Sequence, residues 1–253
     1  MLSTVVHALQ VLEFLSEASE AGVSDIGRAI GLAPSTTHRL LAALSSREFL
    51  QQNPKSKKYQ LGIKIFQLGS SVANRFSIRN AALANMEKLA ADSGETVNLG
   101  ILSGTEIVYL EKILNDDPIR VELQVGHSVP AHCTAMGKAM LAFQPPGKLE
   151  EIIAAIRFEK RTSTTITDGA ALRRELAAIR TQGYAIDDGE LIEGIKCIAA
   201  PVVLPSKGAV AAISIAGPSF RVNAERVGAL VPMIRKAADE TSKFIRLASS
   251  GGL

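Results

Sequence analysis

Four polar side chains stand close together after Pro34, on what the helical period predicts to be the outer face of one helix. They are Ser35, Thr36, His38 and Arg39. The guanidinium fork of arginine matches the O6 and N7 acceptors of guanine, and serine and threonine hydroxyls reach base edges or phosphates. We therefore predict that this face reads DNA in the major groove, with Arg39 as the main base reader. His38 fits a phosphate contact and a plain surface position equally well.

Three lysines form a second basic cluster at the tip of a predicted hairpin. The segments 49–52 and 59–61 have the composition of short strands, and the turn between them carries Lys55, Lys57 and Lys58. Compact ammonium groups suit phosphates or the minor groove. A lysine-rich turn is also a common solvated surface, so the hairpin alone does not define a function.

A helix, a turn and a second helix must position these side chains. Apolar residues at helical spacing predict a first helix over 4–18, and Ser24 is the predicted N-cap of a short helix that ends at Ile30. Pro34 suits the first position of the next helix, which we expect to continue to about Ser46. From that helix, the residues predicted to face the core are Leu40, Leu41, Leu44 and, in part, Thr37.

This order predicts a winged helix-turn-helix domain over residues 1–62, joined by a linker helix over 63–78 to a larger domain over 79–253. The formal net charge of +3 lies entirely in residues 1–78, because 79–253 hold equal numbers of acidic and basic residues. A basic unit beside a neutral one is typical of a polyanion binder attached to another module. The linker carries an apolar stripe, which we expect to pack against a second copy, formed by Ile65, Leu68 and Val72.

The larger domain shows a mixed pattern, which predicts an α+β fold of antiparallel strands with helices on the faces. The predicted helices cover 80–92, 134–143, 148–156, 168–182 and 223–247. The predicted strands cover 96–102, 106–113, 119–125, 184–187, 197–203 and 210–216. Pro232 falls inside the last helix, where we expect it to kink or split the helix.

Composition excludes several classes of protein. The 253 residues are 47% hydrophobic, which allows a sizeable core, but no apolar run reaches the roughly 18 residues of a membrane span. The N-terminal segment lacks the features of a signal peptide, so we expect a cytoplasmic protein without a membrane partner. Cys133 and Cys197 are then expected as reduced thiols.

Several motifs, in a fixed order, make the chain resemble the IclR family of transcription regulators. In the first domain they are the segments 32–41, Leu-Ala-Pro-Ser-Thr-Thr-His-Arg-Leu-Leu, and 59–62, Tyr-Gln-Leu-Gly. In the second they are 131–139, Ala-His-Cys-Thr-Ala-Met-Gly-Lys-Ala, and the segments 183–190, 194–202 and 212–218. The resemblance covers nearly the whole chain. It implies a GAF-like effector domain, dimers or tetramers, and repression or activation switched by a small metabolite.

The resemblance also implies an effector pocket in the second domain. Carried over to this sequence, its residues are Ala135, Met136, Asp187, Cys197 and Ser214. A second serine often follows two residues after the first in this family, but here that position is Ala216. The missing hydroxyl argues against a simple two- or three-carbon keto acid as effector.

The residues themselves agree with this pocket in outline. The segment 134–136 opens a predicted helix whose free amides favour a carboxylate, and Asp187 and Ser214 can hydrogen-bond a ligand hydroxyl. We therefore expect a repressor of a catabolic operon that binds an operator duplex and is switched by a hydroxylated or aromatic carboxylic acid. The alternative is that these are satisfied polar groups of a packed core.

Three other readings remain. Cys197, His132 and Asp187 could form a thiol triad, although the apolar stretch around the cysteine predicts an inert buried thiol. His127, His132, Cys133 and Cys197 are soft ligands, but they lack the paired spacing of a structural zinc site. A scaffold protein that dimerises through the linker is the third. We expect neither catalysis nor a metal or other cofactor.

Overall fold

The chain folds into two compact units. In this computed structural model the described residues are 3–73, 77–115, 117, 124–205 and 207–250. The units are Met1–Phe76 and Ser77–Leu253. None of the helices in the described part has the length and hydropathy that crossing a membrane requires.

The first unit is a helical core with a small hairpin. Its elements are α1 (Ser3–Ala18), α2 (Val23–Ile30), α3 (Pro34–Ser46), β1 (Leu50–Gln52), β2 (Tyr59–Leu61) and α4 (Ile63–Ala73). Strands β1 and β2 are antiparallel. Val11 and Leu15 of α1 pack with Ile26 of α2 and Leu41 of α3, and all four side chains are almost completely buried. The predicted winged helix-turn-helix order is therefore confirmed.

The start of α2 differs from the prediction. The helix begins at Val23, and the N-cap is Gly22, whose extended backbone makes no side-chain cap hydrogen bond. Ser24 consequently lies inside the first turn, and its prediction as N-cap is wrong. Gly31 ends the helix in the left-handed conformation at φ 71°, which glycine adopts without strain. Pro34 opens α3 as predicted.

The described residues of the predicted linker segment are helical. Helix α4 ends at Ala73 and α5 begins at Ser77, and residues 74–76 lie outside the described residues. Within the predicted apolar stripe, Ile65 is half-buried and Leu68 is exposed. The side chain of Val72 is also outside the described part.

The second unit is built on a six-stranded antiparallel sheet in the order β5-β4-β3-β8-β7-β6. The strands are β3 (Thr96–Ser103), β4 (Glu106–Ile113), β5 (Ser128–Pro130), β6 (Ala185–Asp188), β7 (Ile195–Leu204) and β8 (Gly208–Pro218). The helices are α5 (Ser77–Ser93), α6 (Ala135–Ala142), α7 (Pro146–Ala155), α8 (Gly169–Gln182) and α9 (Ala224–Ser250). A 3₁₀ turn over Ala131–Cys133 precedes α6.

Helices cover both faces of this sheet. One apolar cluster joins α6, α7 and α8 to the sheet, and a second joins α5 and α9 to the opposite face. This arrangement confirms the predicted α+β class.

Two predicted details of the second unit differ or fall outside the structure. Of the predicted strand 119–125, residues 119–123 lie outside the described residues, and Gln124 and Val125 are not in a strand. Helix α9 continues through Pro232 without splitting. Strand β5 and the 3₁₀ turn were not predicted.

Candidate DNA-reading face and ligand cavity

Burial divides α3 into an inner and an outer face. Ser35, Thr36, His38 and Arg39 are all exposed, as the helical period predicts. Thr37 lies between them and is fully buried, and its hydroxyl donates to the carbonyl of Ala33 at 3.1 Å. The burial of Thr37 is therefore more complete than the partial burial that we predict from the pattern.

A glycine allows α2 and α3 to pack closely. A Cβ atom on Gly27 would lie 2.9 Å from Thr37 Oγ1 and 3.0 Å from the carbonyl oxygen of Leu32. Both distances are shorter than ordinary van der Waals contact. The absence of a side chain at Gly27 thus allows α3 to pack directly against the backbone of α2.

The hairpin tip is ordered by Asn53. Its Oδ1 accepts from the amides of Lys55 at 2.9 Å and Ser56 at 3.2 Å, an Asx turn. Lys55 and Lys57 are exposed, whereas the ammonium of Lys58 lies 3.0 Å from Oε1 of Glu20. Lys58 is therefore less available to a phosphate than the other two lysines.

The structure brings the five predicted effector residues together around one cavity of the second unit. The cavity has about 460 Å³ of empty space, part of which opens to solvent. Its described lining residues are Asn98, Tyr109, Thr134, Ala135, Met136, Asp187, Leu191, Ile192, Ile195, Cys197, Ser214 and Ala216. The cavity lies on the sheet face that α6 covers.

The first turn of α6 supplies the amide groups of this cavity. Thr134 caps the helix, since its hydroxyl accepts from the amide of Gly137 at 3.2 Å. The amides of Ala135 and Met136 have no backbone or side-chain acceptor among the described residues. A Cβ atom on Gly137 would lie 2.1 Å from the carbonyl oxygen of Ala131, so only glycine allows this close packing. Two unpaired amides at a helix N-terminus are a suitable site for a carboxylate.

Strand register brings the polar wall residues together. Asp187 pairs with Cys197 across β6 and β7, and Cys197 pairs with Ala216 across β7 and β8. Asn98 and Ser214 are partners across β3 and β8, with Asn98 Nδ2 donating to Ser214 Oγ at 3.4 Å.

Sequence reasoning missed Asn98 and Tyr109. Tyr109 lies on β4, almost fully buried, and burial raises the pKa of its hydroxyl. Asn98 and Ser214 are separated by 116 residues, so no local pattern could have joined them.

Met136 of α6 packs against β3 at a position where that strand carries a glycine, Gly100. A Cβ atom on Gly100 would lie 2.6 Å from Ile107 Cγ2 and 3.1 Å from the sulfur of Met136. The thioether therefore packs directly on the backbone of β3. A larger residue at position 100 would require Ile107 and Met136 to move.

Asp187 is the acidic group of the cavity. It is only 3% exposed, and its Oδ1 accepts from the amide of Glu190 at 2.7 Å. Burial raises the pKa of Asp187 to about 7. The charge of Glu190 also raises this pKa, whereas the backbone hydrogen bonds from Glu190 and Leu191 and the charge of Lys138 lower it. No lysine or arginine is among the described lining residues, so the cavity offers an anion only uncharged donors.

The rival readings gain no support from the site. Burial raises the pKa of the Cys197 thiol well above its ordinary value, which is the opposite of an activated nucleophile. His132 is nearly fully buried, with Nε2 3.4 Å from the carbonyl oxygen of Glu159 and its ring edge against Phe158. In the described part of the chain, no group of three or more metal-ligating side chains is close enough to hold an ion.

Comparison with known families gives the affiliation of the chain. Residues 4–54 match the IclR helix-turn-helix domain, and residues 70–243 match the C-terminal domain of bacterial transcriptional regulators of the IclR type. The chain belongs to the IclR family. It is a DNA-binding transcription regulator, as its resemblance to that family implies.

Curated IclR-family relatives match along nearly their whole length. The transcriptional regulator BhcR of Paracoccus denitrificans is 33% identical over 93% of this chain and 85% of its own. The transcriptional repressor AllR of Klebsiella pneumoniae is 32% identical over 95% of this chain and 89% of its own. Because these relatives are IclR regulators, they support the expectation that the chain is not an enzyme.

A solved IclR structure shows the same fold. The crystal structure of an IclR homologue from Microbacterium hydrocarbonoxydans, complexed with 4-hydroxybenzoate, aligns with a TM-score of 0.84 and 28% identity. The alignment covers 96% of this chain and 99% of that one. The present chain and this IclR homologue therefore share the same fold over nearly their whole length.

Proposed function

We propose that the protein represses a catabolic operon and that a hydroxylated or aromatic carboxylic acid, bound in the cavity of the second unit, switches its operator affinity. The observation that carries this proposal is the cavity itself. Two free amides at the start of α6 lie on the same cavity as Asp187, Ser214 and Asn98. In such a cavity the amides can bind an anion, and the polar side chains can hydrogen-bond a neutral polar group.

The charge of the cavity sets the orientation of the acid. The carboxylate binds the amides of Ala135 and Met136, where the helix dipole offsets its charge. The opposite end of the acid faces Asp187, with Ser214 as a second hydrogen-bonding group. Leu191, Ile192 and Ile195 supply apolar contacts, which suit an aromatic or aliphatic middle part.

Two relatives support parts of this proposal. AllR of Klebsiella pneumoniae is a transcriptional repressor, and the homologue from Microbacterium hydrocarbonoxydans forms a complex with 4-hydroxybenzoate, a hydroxylated aromatic acid. We infer by analogy that an acid of this class is the effector here.

On the DNA side, we propose that the outer face of α3 enters the major groove. Arg39 then reads a guanine, and Ser35, Thr36 and His38 contact neighbouring bases or phosphates. Lys55, Lys57 and Lys58 are the proposed contacts of the wing to phosphate or the minor groove, with Lys58 weakened by its ion pair to Glu20. A homodimer or tetramer presents two such faces to the two halves of an operator.

Calorimetry with a panel of hydroxylated carboxylic acids tests the ligand site. We expect one or more acids to bind the full chain, and Asp187→Ala to weaken that binding at least tenfold while affinity for operator DNA without acid stays the same. Asp188→Ala is the matched control, because Asp188 is adjacent but exposed and pairs with Lys196. Equal binding of the acid by wild type and Asp187→Ala would show that the proposed site is wrong.

A further inference from the structure

Two carboxylates share one ammonium group behind the cavity, and a third carboxylate, that of Asp187, lies next to them. Lys138 of α6 is 1% exposed, and its Nζ contacts Oε1 of Glu190 and, at 3.2 Å, Oε1 of Glu175. Asp187 lies next to this cluster through the hydrogen bond from the amide of Glu190. A buried ammonium that is shared by two carboxylates neutralises neither of them fully.

Asp187 differs from the two glutamates in its ion pairs. The described residues provide it with no ion pair, whereas both glutamates contact Lys138. In addition, Oε2 of Glu190 is buried and has no hydrogen-bond partner among the described residues, so negative charge that is only partly compensated lies close to Asp187. Two like charges this near to each other in a buried site disfavour a second ionisation.

One of the described groups that face Asp187 carries a positive charge. From the elements packed around it, these groups are Glu190, Lys138, Cys133, Tyr109 and Cys197. The cysteines and the tyrosine are uncharged at neutral pH, because burial raises the pKa of each. Lys138 is therefore the single cation of the set, and it is bound to the glutamates.

We propose that Asp187 carries a proton in the ligand-free protein up to about neutral pH and donates its O–H to the ligand, so that the cavity selects monoanionic acids whose far end accepts a hydrogen bond. This inference rests on the proposed function, because it concerns the same cavity. Oδ1 of Asp187 accepts from the amide of Glu190, so a protonated Asp187 can keep this hydrogen bond. A second carboxylate on the ligand would add negative charge beside Glu190 and weaken binding.

The proton makes ligand affinity depend on pH. An acid bound at α6 brings a further negative charge into the cavity, which raises the pKa of Asp187 above its value of about 7 in the empty protein. When the acid binds, Asp187 therefore keeps its proton or, if it is ionised, takes one up. Affinity for a monoanion should be constant below about pH 6 and fall as the pH rises through about 7, by at most tenfold per pH unit.

Isotope-edited infrared spectroscopy of the full chain, with ¹³C-labelled aspartate, observes the proton directly. We expect the carboxylic-acid band of one labelled aspartate to be present at about pH 6 and to disappear near pH 7 to 8. The Asp187→Asn variant should lack this band, and Asp188→Asn should retain it. The proposal is overturned if wild type shows no such band, or if the band appears only when glutamate carries the label.

Calorimetry with 4-hydroxybenzoate as probe tests the consequence for binding. We expect wild type to bind it several-fold more tightly at about pH 6 than at about pH 8, and Asp187→Asn to lose most of that difference. Binding by wild type that does not change with pH contradicts proton-linked selection. If the probe binds at neither pH, the proposed effector class is wrong for this acid, and the infrared titration still decides whether Asp187 holds the proton.

Discussion

The side chains of α3 illustrate how much depends on single residues. Thr37 is fully buried between exposed neighbours, and its hydroxyl is used within its own helix. Arg39, in contrast, is exposed and makes no ion pair among the described residues. Its guanidinium is therefore free to bind the two acceptors of a guanine.

We predict that Arg39→Ala weakens operator binding by about 1–3 kcal/mol and relaxes the preference at one base position. Fluorescence anisotropy with a set of operator fragments that differ at single positions measures both effects. The control is Arg174→Ala, which removes an exposed arginine from α8 of the other unit. Lys57→Ala should instead weaken all sequences about equally and lower the salt dependence. Unchanged affinity and preference in Arg39→Ala would mean that α3 does not read bases through this residue.

A second prediction at this scale concerns stability and pH. Because the folded-state pKa of Asp187 is raised to about 7, the neutral carboxyl stabilises the fold fully below about pH 4. That contribution is lost as the pH rises towards 7. Asp187→Asn keeps an acceptor for the amide of Glu190 and has no proton to lose.

Relative to Asp187→Asn, wild type should therefore lose stability of the order of a few kcal/mol between about pH 4 and about pH 8. Denaturant unfolding of the full chain at several pH values measures the difference, with the exposed Asp188→Asn as control. A difference between wild type and Asp187→Asn that is the same at every pH contradicts the prediction.

At the scale of elements, close backbone packing positions both candidate sites. Gly27 brings α2 against α3, and Gly137 brings α6 against the 3₁₀ turn before it. In each case a helix that carries functional groups is held by contact with the backbone of the preceding segment. Rigid placement of this kind favours precise recognition.

We predict that Gly27→Ala destabilises the first unit, because the added methyl overlaps Thr37 Oγ1 and the carbonyl oxygen of Leu32. Overpacking of this kind costs about 1–3 kcal/mol, and operator affinity should fall with it. Gly69→Ala is the matched control, since that helical glycine has open space around it and alanine gains up to about 1 kcal/mol there. Thermal unfolding and operator titration of both variants measure the effects. Equal stability of the two variants contradicts the proposed role of Gly27.

Local sequence patterns predicted most helices and strands. They failed where contacts between residues far apart in the sequence determine burial or pairing. The outer face of α3 follows from the helical period alone, and so does the burial of Leu40 and Leu41. The buried position of Lys138 could not be predicted, because its partner Glu190 lies 52 residues later and a lysine on a helix is usually solvated. The pairing of Asn98 with Ser214 depends on sheet order in the same way. The start of α2 was missed because its N-cap is Gly22, which has no side chain to make a capping hydrogen bond.

At the scale of the whole molecule, the first unit has apolar surface that its own core leaves uncovered. Ile63 and Phe66 of α4 are 58% and 70% exposed, and Val5 and Leu9 of α1 are more than half exposed. Large apolar side chains that are exposed on two helices of a small unit are typical of an interface. We propose that a second copy of the chain covers them.

We predict that light scattering at micromolar concentration gives the mass of a dimer or a tetramer. Phe66→Asp should shift the equilibrium towards smaller species, because it places a charge in the apolar contact, and Gln67→Asp, at the exposed neighbouring position, should not. Operator affinity should fall together with the mass, since two linked recognition helices bind far more tightly than one. A monomeric wild type contradicts this assembly.

An acid in the cavity of the second unit is proposed to change the affinity of the first unit for DNA. The most direct measurement is an operator titration of the full chain with and without the acid that binds best in calorimetry, carried out in parallel with Asp187→Ala. A coupling of about 1–3 kcal/mol predicts a roughly 5–150-fold change in operator affinity for wild type. Asp187→Ala should bind operator equally well without acid and respond only at much higher acid concentration. Operator affinity that no bound acid changes, or an identical response in the two proteins, would contradict the account.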